Sequence, residues 1–466
     1  MKSLPNLMRD RKGKMEKRPN IIFYFTDQQR WDTCGCYGQP LDITPTLDQL
    51  AREGIQYNNA FSPQPVCGPC RALFQTGKYP TQTGCFRNNV MLPGNIKTLA
   101  NYMEEAEYQT AYIGKWHLAS DGELEKPPII DHATTAIPRE LRGGYTGFWR
   151  TSDLLEFTSH GYDGYVFDEE NNKLEFKGYR ADCITDFALD FFREREIQKP
   201  FFMTISHIEP HHQNDHKHYE GPIGSKEKYA DFVLPEDLRI LDGNAREEYP
   251  DYLGQINSLD QNLHRLIVKL KEEGLYENTV IIYASDHGSH FLTRNKDEHL
   301  NGYDDYKRSC HDAAMHVPLI IGGGAIKERK VVEDIVSTAS LPKTFLALAG
   351  IEVGDKMIGE NLIDVAKHGN PERCNEAFAQ ISESRCGRCI RTEDYLYSVY
   401  APGVNGGEKA ASDVYADDFL YDIKKDPYQL NNVVESPEYT EVKRKMRKKL
   451  LLWIKEAESA EPSIID

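Results

Sequence analysis

The sequence predicts an α/β protein in which a large, mostly parallel sheet is sandwiched by helices and followed by a small α+β C-terminal domain. Three observations carry that expectation. Apolar runs of strand length alternate with stretches of helical periodicity, several runs close on a polar cluster, and shorter strands take over after about residue 365. The domains are accordingly expected at residues 1–365 and 366–466.

Residues 20–26 form a continuous apolar run that stops at Asp27, as a strand buried on both faces does. Residues 46–53 read as a short helix. Pro69 sits where a helix can begin, because the first turn does not need its missing N–H. Residues 110–113 and 201–206 are further apolar strands, each followed by a histidine-containing segment. Leu253, Ile256, Leu259, Leu263, Leu266, Ile267 and Leu270 recur at helical spacing, and Gly274 closes that helix. Residues 279–284 form another buried strand. Short strands at residues 389–391, 395–400 and 419–422 follow, and a basic amphipathic helix spans residues 438–457.

The polar clusters fall in a regular place. Asp27/Gln28, Lys115/His117, His207/His211 and Asp286/His287 each follow a predicted strand directly. Open α/β sheets collect ligand sites beyond the carboxyl ends of their strands, so four strands bring these residues to one edge. The net charge of −17 argues against nucleic acid as the main partner. It still admits a small anion, since exposed charges are screened beyond ~10 Å and a local cluster of cations dominates its own site. No stretch approaches the ~20 apolar residues of a membrane helix, so no membrane partner is expected. Residues 1–17 are basic and polar without the apolar centre of a secretory signal, which makes the cytoplasm the expected location. Cysteine pairs Cys34/Cys36, Cys67/Cys70 and Cys386/Cys389 lack the regular spacing of a zinc module.

The chemistry concentrates in Val66-Cys67-Gly68-Pro69-Cys70-Arg71, which leads into Ala-Leu-Phe-Gln-Thr76-Gly77-Lys78. A residue at a helix N-terminus meets free backbone N–H groups and the positive end of the helix dipole, which favour an anion. Arg71 adds a guanidinium fork suited to sulfate or phosphate. The segment resembles the C-x-P-x-R signature of type I sulfatases. Further matches follow in order along nearly the whole chain: Arg18-Pro-Asn-Ile-Ile-Phe, Thr44 to Gly54, Gly114-Lys115-Trp116-His117, Pro210-His211, Ser285-Asp286-His287-Gly288, and Lys307 before His316-Val317-Pro318. Leu420-Tyr-Asp-Ile-Lys-Lys-Asp-Pro427 is similar to the family's C-terminal domain.

That resemblance implies an alkaline-phosphatase-like fold with an antiparallel C-terminal sheet, and a sulfatase acting on a small sulfated substrate, a saccharide by the family's range. It implies that a maturation enzyme oxidises Cys67 to formylglycine. A divalent metal is implied on Asp27, Gln28, Cys67, Asp286 and His287, with Ca²⁺ as first choice and Mn²⁺ or Mg²⁺ as alternatives. Arg71, Lys115 and Lys307 would balance the sulfate charge, His211 or Lys307 protonate the leaving oxygen, and His117 act as base. Gln28 and His287 depart from the Asp and Asn that many relatives carry there, and Cys70 from Ser or Ala, which leaves a Cys67–Cys70 disulfide as a rival state. His212, His290 and Arg294 are candidate substrate contacts. The run from His211 to His218 has a metal-binding composition, yet its place favours a loop over the substrate, solvated apart from His211. The rival readings are a phosphonate monoester or phosphodiester hydrolase on the same scaffold and a non-catalytic anion-binding protein.

Overall fold

The computed structural model describes residues 18–123, 129–294, 306–371 and 375–465. Its strands, in chain order, are β1 (Asn20–Thr26), β2 (Ile55–Phe61), β3 (Gln109–Lys115), β4 (Phe148–Ser152), β5 (Ser159–His160), β6 (Asp163–Phe167), β7 (Lys173–Lys177) and β8 (Phe201–Ser206). They continue with β9 (Thr279–Ser285), β10 (Leu319–Gly322), β11 (Lys330–Ser337), β12 (Ala377–Ile381), β13 (Gly387–Arg391), β14 (Tyr395–Tyr400), β15 (Val414–Asp422) and β16 (Ser463–Ile465).

One sheet runs β11-β2-β10-β9-β1-β8-β3-β4-β6-β5, with β7 on β6. Its five central strands, β9-β1-β8-β3-β4, are all parallel. Antiparallel pairs occur toward the edges, at β10 and among β4 to β7. The expected parallel sheet is thus its centre, and the antiparallel edge strands are short or polar runs that gave no strong apolar signal.

Alternation along β1 explains the layering. Ile21, Phe23 and Phe25 join one buried cluster with Leu73, Phe74, Met103 and Phe345, whose helices cover that face. Ile22 and Tyr24 join another with Leu47, Ile184, Leu259 and Leu266 from helices on the opposite face. The Leu253–Leu270 periodicity lies within helix Ala245–Glu272, with Gly274 left-handed just beyond it. The second sheet, β12-β13-β14-β15-β16, is antiparallel except for its last pair. It shares the first cluster through Phe378, Ile390 and Tyr397, and helix Thr440–Glu458 adds Met446, Leu450 and Ile454. Among the described residues, no helix is long and apolar enough to cross a membrane.

Register brings the strand ends level. Thr26 pairs with Ser285, Phe25 with Ser206, Gly114 with Ser206 and Lys115 with Ser152. The residues after β1, β3, β8 and β9 therefore leave the sheet along one edge. Beneath the segment after β8, the buried Arg180 guanidinium pairs with buried Glu209 (Nε to Oε1, 2.8 Å) and donates to Gln213 Oε1 at 3.0 Å. Removing the arginine would strand a buried carboxylate. Arg180→Ala should lower the unfolding free energy by about 3–5 kcal/mol in urea denaturation. A loss below about 1 kcal/mol would mean that this pair does not hold the segment in place.

Candidate active site

Cys67 is the first residue of helix Cys67–Thr76, all of which is buried. The helix begins two residues before Pro69, because the Gly68 N–H is met by Asn88 Oδ1 at 3.0 Å and the Cys70 N–H by Val66 O at 3.1 Å. Gly77, left-handed at φ 63°, closes the helix by donating to Leu73 O. The anion-favouring end of a short helix therefore points at the sheet edge with Cys67 on it.

Asp27 is the hub. Its Oδ2 lies 3.0 Å from both Arg71 NH2 and Lys115 Nζ, and its Oδ1 faces Cys67 Sγ at 3.4 Å and His287 Nε2 at 3.6 Å. Asp286 Oδ1 accepts the N–H groups of Gln28 (3.1 Å) and His287 (2.8 Å). Its Oδ2 has no hydrogen bond and lies 3.8 Å from Arg71 Nε. The charges divide these two carboxyls. Burial disfavours the Asp27 carboxylate, but the Lys115 and Arg71 cations beside it outweigh that cost and hold Asp27 well below the usual range. Burial and then Asp27 push Asp286 up to about 7.

Lys307 Nζ lies 3.2 Å from Cys67 Sγ and 2.8 Å from His211 Nε2. Burial and Asp27 push the Cys67 thiol far up, so as a cysteine it is a neutral, weak nucleophile. Cys67 and Cys70 are both free thiols, and Cys70 points at Asp286 O instead, 3.3 Å away. His117 sits past β3 with φ 61°, its N–H on Asp153 O. Desolvation and then Lys115 hold its imidazole well below its ordinary pKa, which keeps it neutral.

The donor set suits a divalent cation. Asp27, Cys67, Asp286 and His287 are buried and present ligand atoms within 4.8 Å of one another. His287 Nδ1 is 2.9 Å from Gly288 O, an atom that only accepts, so its hydrogen is on Nδ1 and the Nε2 lone pair faces the carboxylates. That lone pair, 3.6 Å from an oxygen of each acid and 3.2 Å from Cys67 Sγ, is turned toward the place where a cation would sit. Gln28 Oε1, buried and without a hydrogen bond, is a further available oxygen.

The other candidates are placed as follows. His212 stacks on His211 at 4.6 Å and packs against Tyr306. His290 Nε2 meets Lys307 O at 2.8 Å, so it bears on the lysine's backbone. Arg294 donates to the Tyr428 and Gln429 carbonyls, both at 2.6 Å, and none of its described contacts reaches Cys67. Several residues here carried no sequence signal. Glu156 pairs with Lys115 at 3.3 Å, and Ser206 Oγ accepts from Arg71 NH1 at 2.7 Å. Buried Glu383, from the loop after β12, accepts from Asn88 N at 2.6 Å and pairs with Arg308 at 2.5 Å. It thereby joins the support of the Cys67 helix to the residue beside Lys307.

Comparison with known proteins gives this edge its class. The family model described as sulfatase matches residues 19–351, and the model described as N-sulphoglucosamine sulphohydrolase, C-terminal, matches residues 298–456. An ulvan-active sulfatase of Formosa agariphila is 30% identical, over 93% of this chain and 81% of its own. An N-acetylglucosamine-6-O-sulfatase of Bacteroides thetaiotaomicron is 27% identical, over 95% and 86%. The chain belongs to the sulfatase family and is a sulfuric ester hydrolase. Solved structures agree on the fold: a Bacteroides fragilis protein of the sulfatase class superposes with a TM-score of 0.76 at 23% identity, covering 95% of this chain and 97% of the other. A phosphonate monoester hydrolase of Agrobacterium radiobacter does so at 0.67 and 20%, covering 94% and 96%.

If the Asp27–Asp286–His287 cluster holds a divalent cation, adding Ca²⁺ or Mn²⁺ to chelator-treated protein raises its melting temperature. A hundredfold excess over Kd is worth about 2.7 kcal/mol. Asp286→Asn should remove most of that rise in calorimetry. An equal rise in both proteins would place the ion elsewhere.

Proposed function

We propose that this sulfatase hydrolyses a sulfate monoester of a carbohydrate at Cys67. The observation that carries the reading is the convergence of Arg71, Lys115 and Lys307 on one buried helix N-terminus that also faces two carboxylates. The carbohydrate class rests on the relatives named for ulvan and for N-acetylglucosamine. A divalent cation, Ca²⁺ by its oxygen-rich set, and a formylglycine made from Cys67 by a maturation enzyme would supply Lewis acidity and a hydrated-aldehyde hydroxyl as nucleophile.

The chain's own groups supply the rest. Asp27 and Asp286 with His287 and Gln28 would hold the cation. Arg71 and Lys115, fixed by Asp27, stand where sulfate oxygens gather charge. His211 Nδ1 lies 2.6 Å from His212 O, so its ring hydrogen is on Nδ1 and its Nε2 accepts from Lys307. We assign the proton for the departing alcohol oxygen to Lys307, with His211 orienting it. His117, held neutral, takes a proton as sulfate is released. Of the three substrate candidates, His212 is the one stacked on the His211 ring, and we place it at the substrate wall.

Cys67→Ala should reduce sulfate-ester turnover to background while circular dichroism stays native. Near-wild-type turnover would refute the role of Cys67. The phosphonate hydrolase reading rests on the cysteine motif, the Asp27-Gln28 start and the Asp286-His287-Gly288 segment that such enzymes share, together with fold likeness. Side-by-side kcat/KM values on sulfate esters, phosphonate monoesters and phosphodiesters should favour the sulfate ester, and a reversed order would select the rival.

A further inference from the structure

The histidine-rich run after His211 has a second destination. Loop residues Asp215 and His216 meet His160 of β5 at the surface, and the three offer ligand atoms within 4.8 Å of one another. His160 Nε2 is 2.9 Å from Asp215 Oδ2, and His216 Nε2 is 4.0 Å from the same oxygen. The two imidazole rings lie face to face, 4.4 Å apart and 8° from parallel. Two imidazole nitrogens directed at one carboxylate oxygen make an N₂O donor set of the kind that suits zinc and its neighbours.

Two of the three donors also have a partner behind them. His216 Nδ1 pairs with Glu220, whose Oε2 accepts the Gly161 N–H at 2.7 Å. The other Asp215 oxygen accepts from Gln213 Nε2 at 2.8 Å, and Gln213 is gripped by Arg180. A carboxylate behind a histidine, with the far nitrogen left for the ion, is the arrangement that orients metal-binding imidazoles.

Electrostatics decides between an ion and the substrate here. His160 and Glu220 also line a cavity of about 490 Å³ walled by Asp163, Glu247, Glu248 and Asp251, with Lys226 as its cation. That wall repels a sulfated saccharide and attracts a divalent cation. We propose that His160, Asp215 and His216 form a second, solvent-facing site for a divalent transition ion. The ion would tie β5 to the loop that starts at His211, so the site would stiffen the segment carrying His211 from outside the catalytic centre.

The test is calorimetric titration of zinc chloride into the full chain preloaded with Ca²⁺. The wild type should take up one more zinc equivalent than His160→Ala/His216→Ala, and Glu220→Gln should weaken that uptake by about tenfold or more. His160 and His216 are 45% and 43% exposed, so the double variant should keep its circular dichroism spectrum and its melting temperature in chelator. Equal zinc uptake by wild type and double variant would overturn the site. If the double variant loses its fold, Asp215→Asn replaces it, and undiminished zinc binding in that protein overturns the site equally.

Discussion

Two buried carboxylates side by side are the constraint on which this structure depends. Asp27 and Asp286 leave adjacent parallel strands at the same level, with no exposure to water. Such a pair is costly unless positive charge surrounds it. Arg71 and Lys115 meet that need from one side, at 3.0 Å from Asp27, while Asp286 keeps an oxygen without a hydrogen bond. The protein's own cations satisfy one acid and leave the other underserved. That imbalance is what makes the cluster fit a divalent cation.

The same constraint organises the proposed catalysis. Arg71 comes from the helix that presents Cys67, so the cation that satisfies Asp27 also fixes that helix against the sheet. Lys115 comes from the end of β3 and is held from behind by Glu156. Lys307 approaches from the other side, with His290 on its backbone carbonyl and His211 on its ammonium. Each of these proposed site groups is thus held by a partner on a different element, which is how a site keeps its geometry without reorganising during reaction.

Much of this was legible in the sequence because it is local. A buried parallel strand is a continuous apolar run, so β1, β3, β8 and β9 were visible, and the residues after them were placed at one edge by topology alone. Glu156, Asn88 and Glu383 were not legible. Each meets its partner across 20 to 295 residues of chain, and nothing in their neighbourhoods distinguishes them from surface polar residues. Arg294 illustrates the converse. It is near Asp286 in sequence, yet its guanidinium turns to the carbonyls of Tyr428 and Gln429 beside the second sheet. The His211–His218 run divides in the same way, its first residue joining Lys307 and its later ones joining β5.

The central claim is that Cys67 is the precursor of the nucleophile rather than a structural thiol. Peptide mass spectrometry of the segment containing Cys67, from protein produced alongside a formylglycine-generating enzyme, tests it most directly. The account predicts a peptide lighter by about 18 Da at Cys67, the difference between cysteine and formylglycine. An unmodified thiol in sulfate-ester-hydrolysing protein would contradict it.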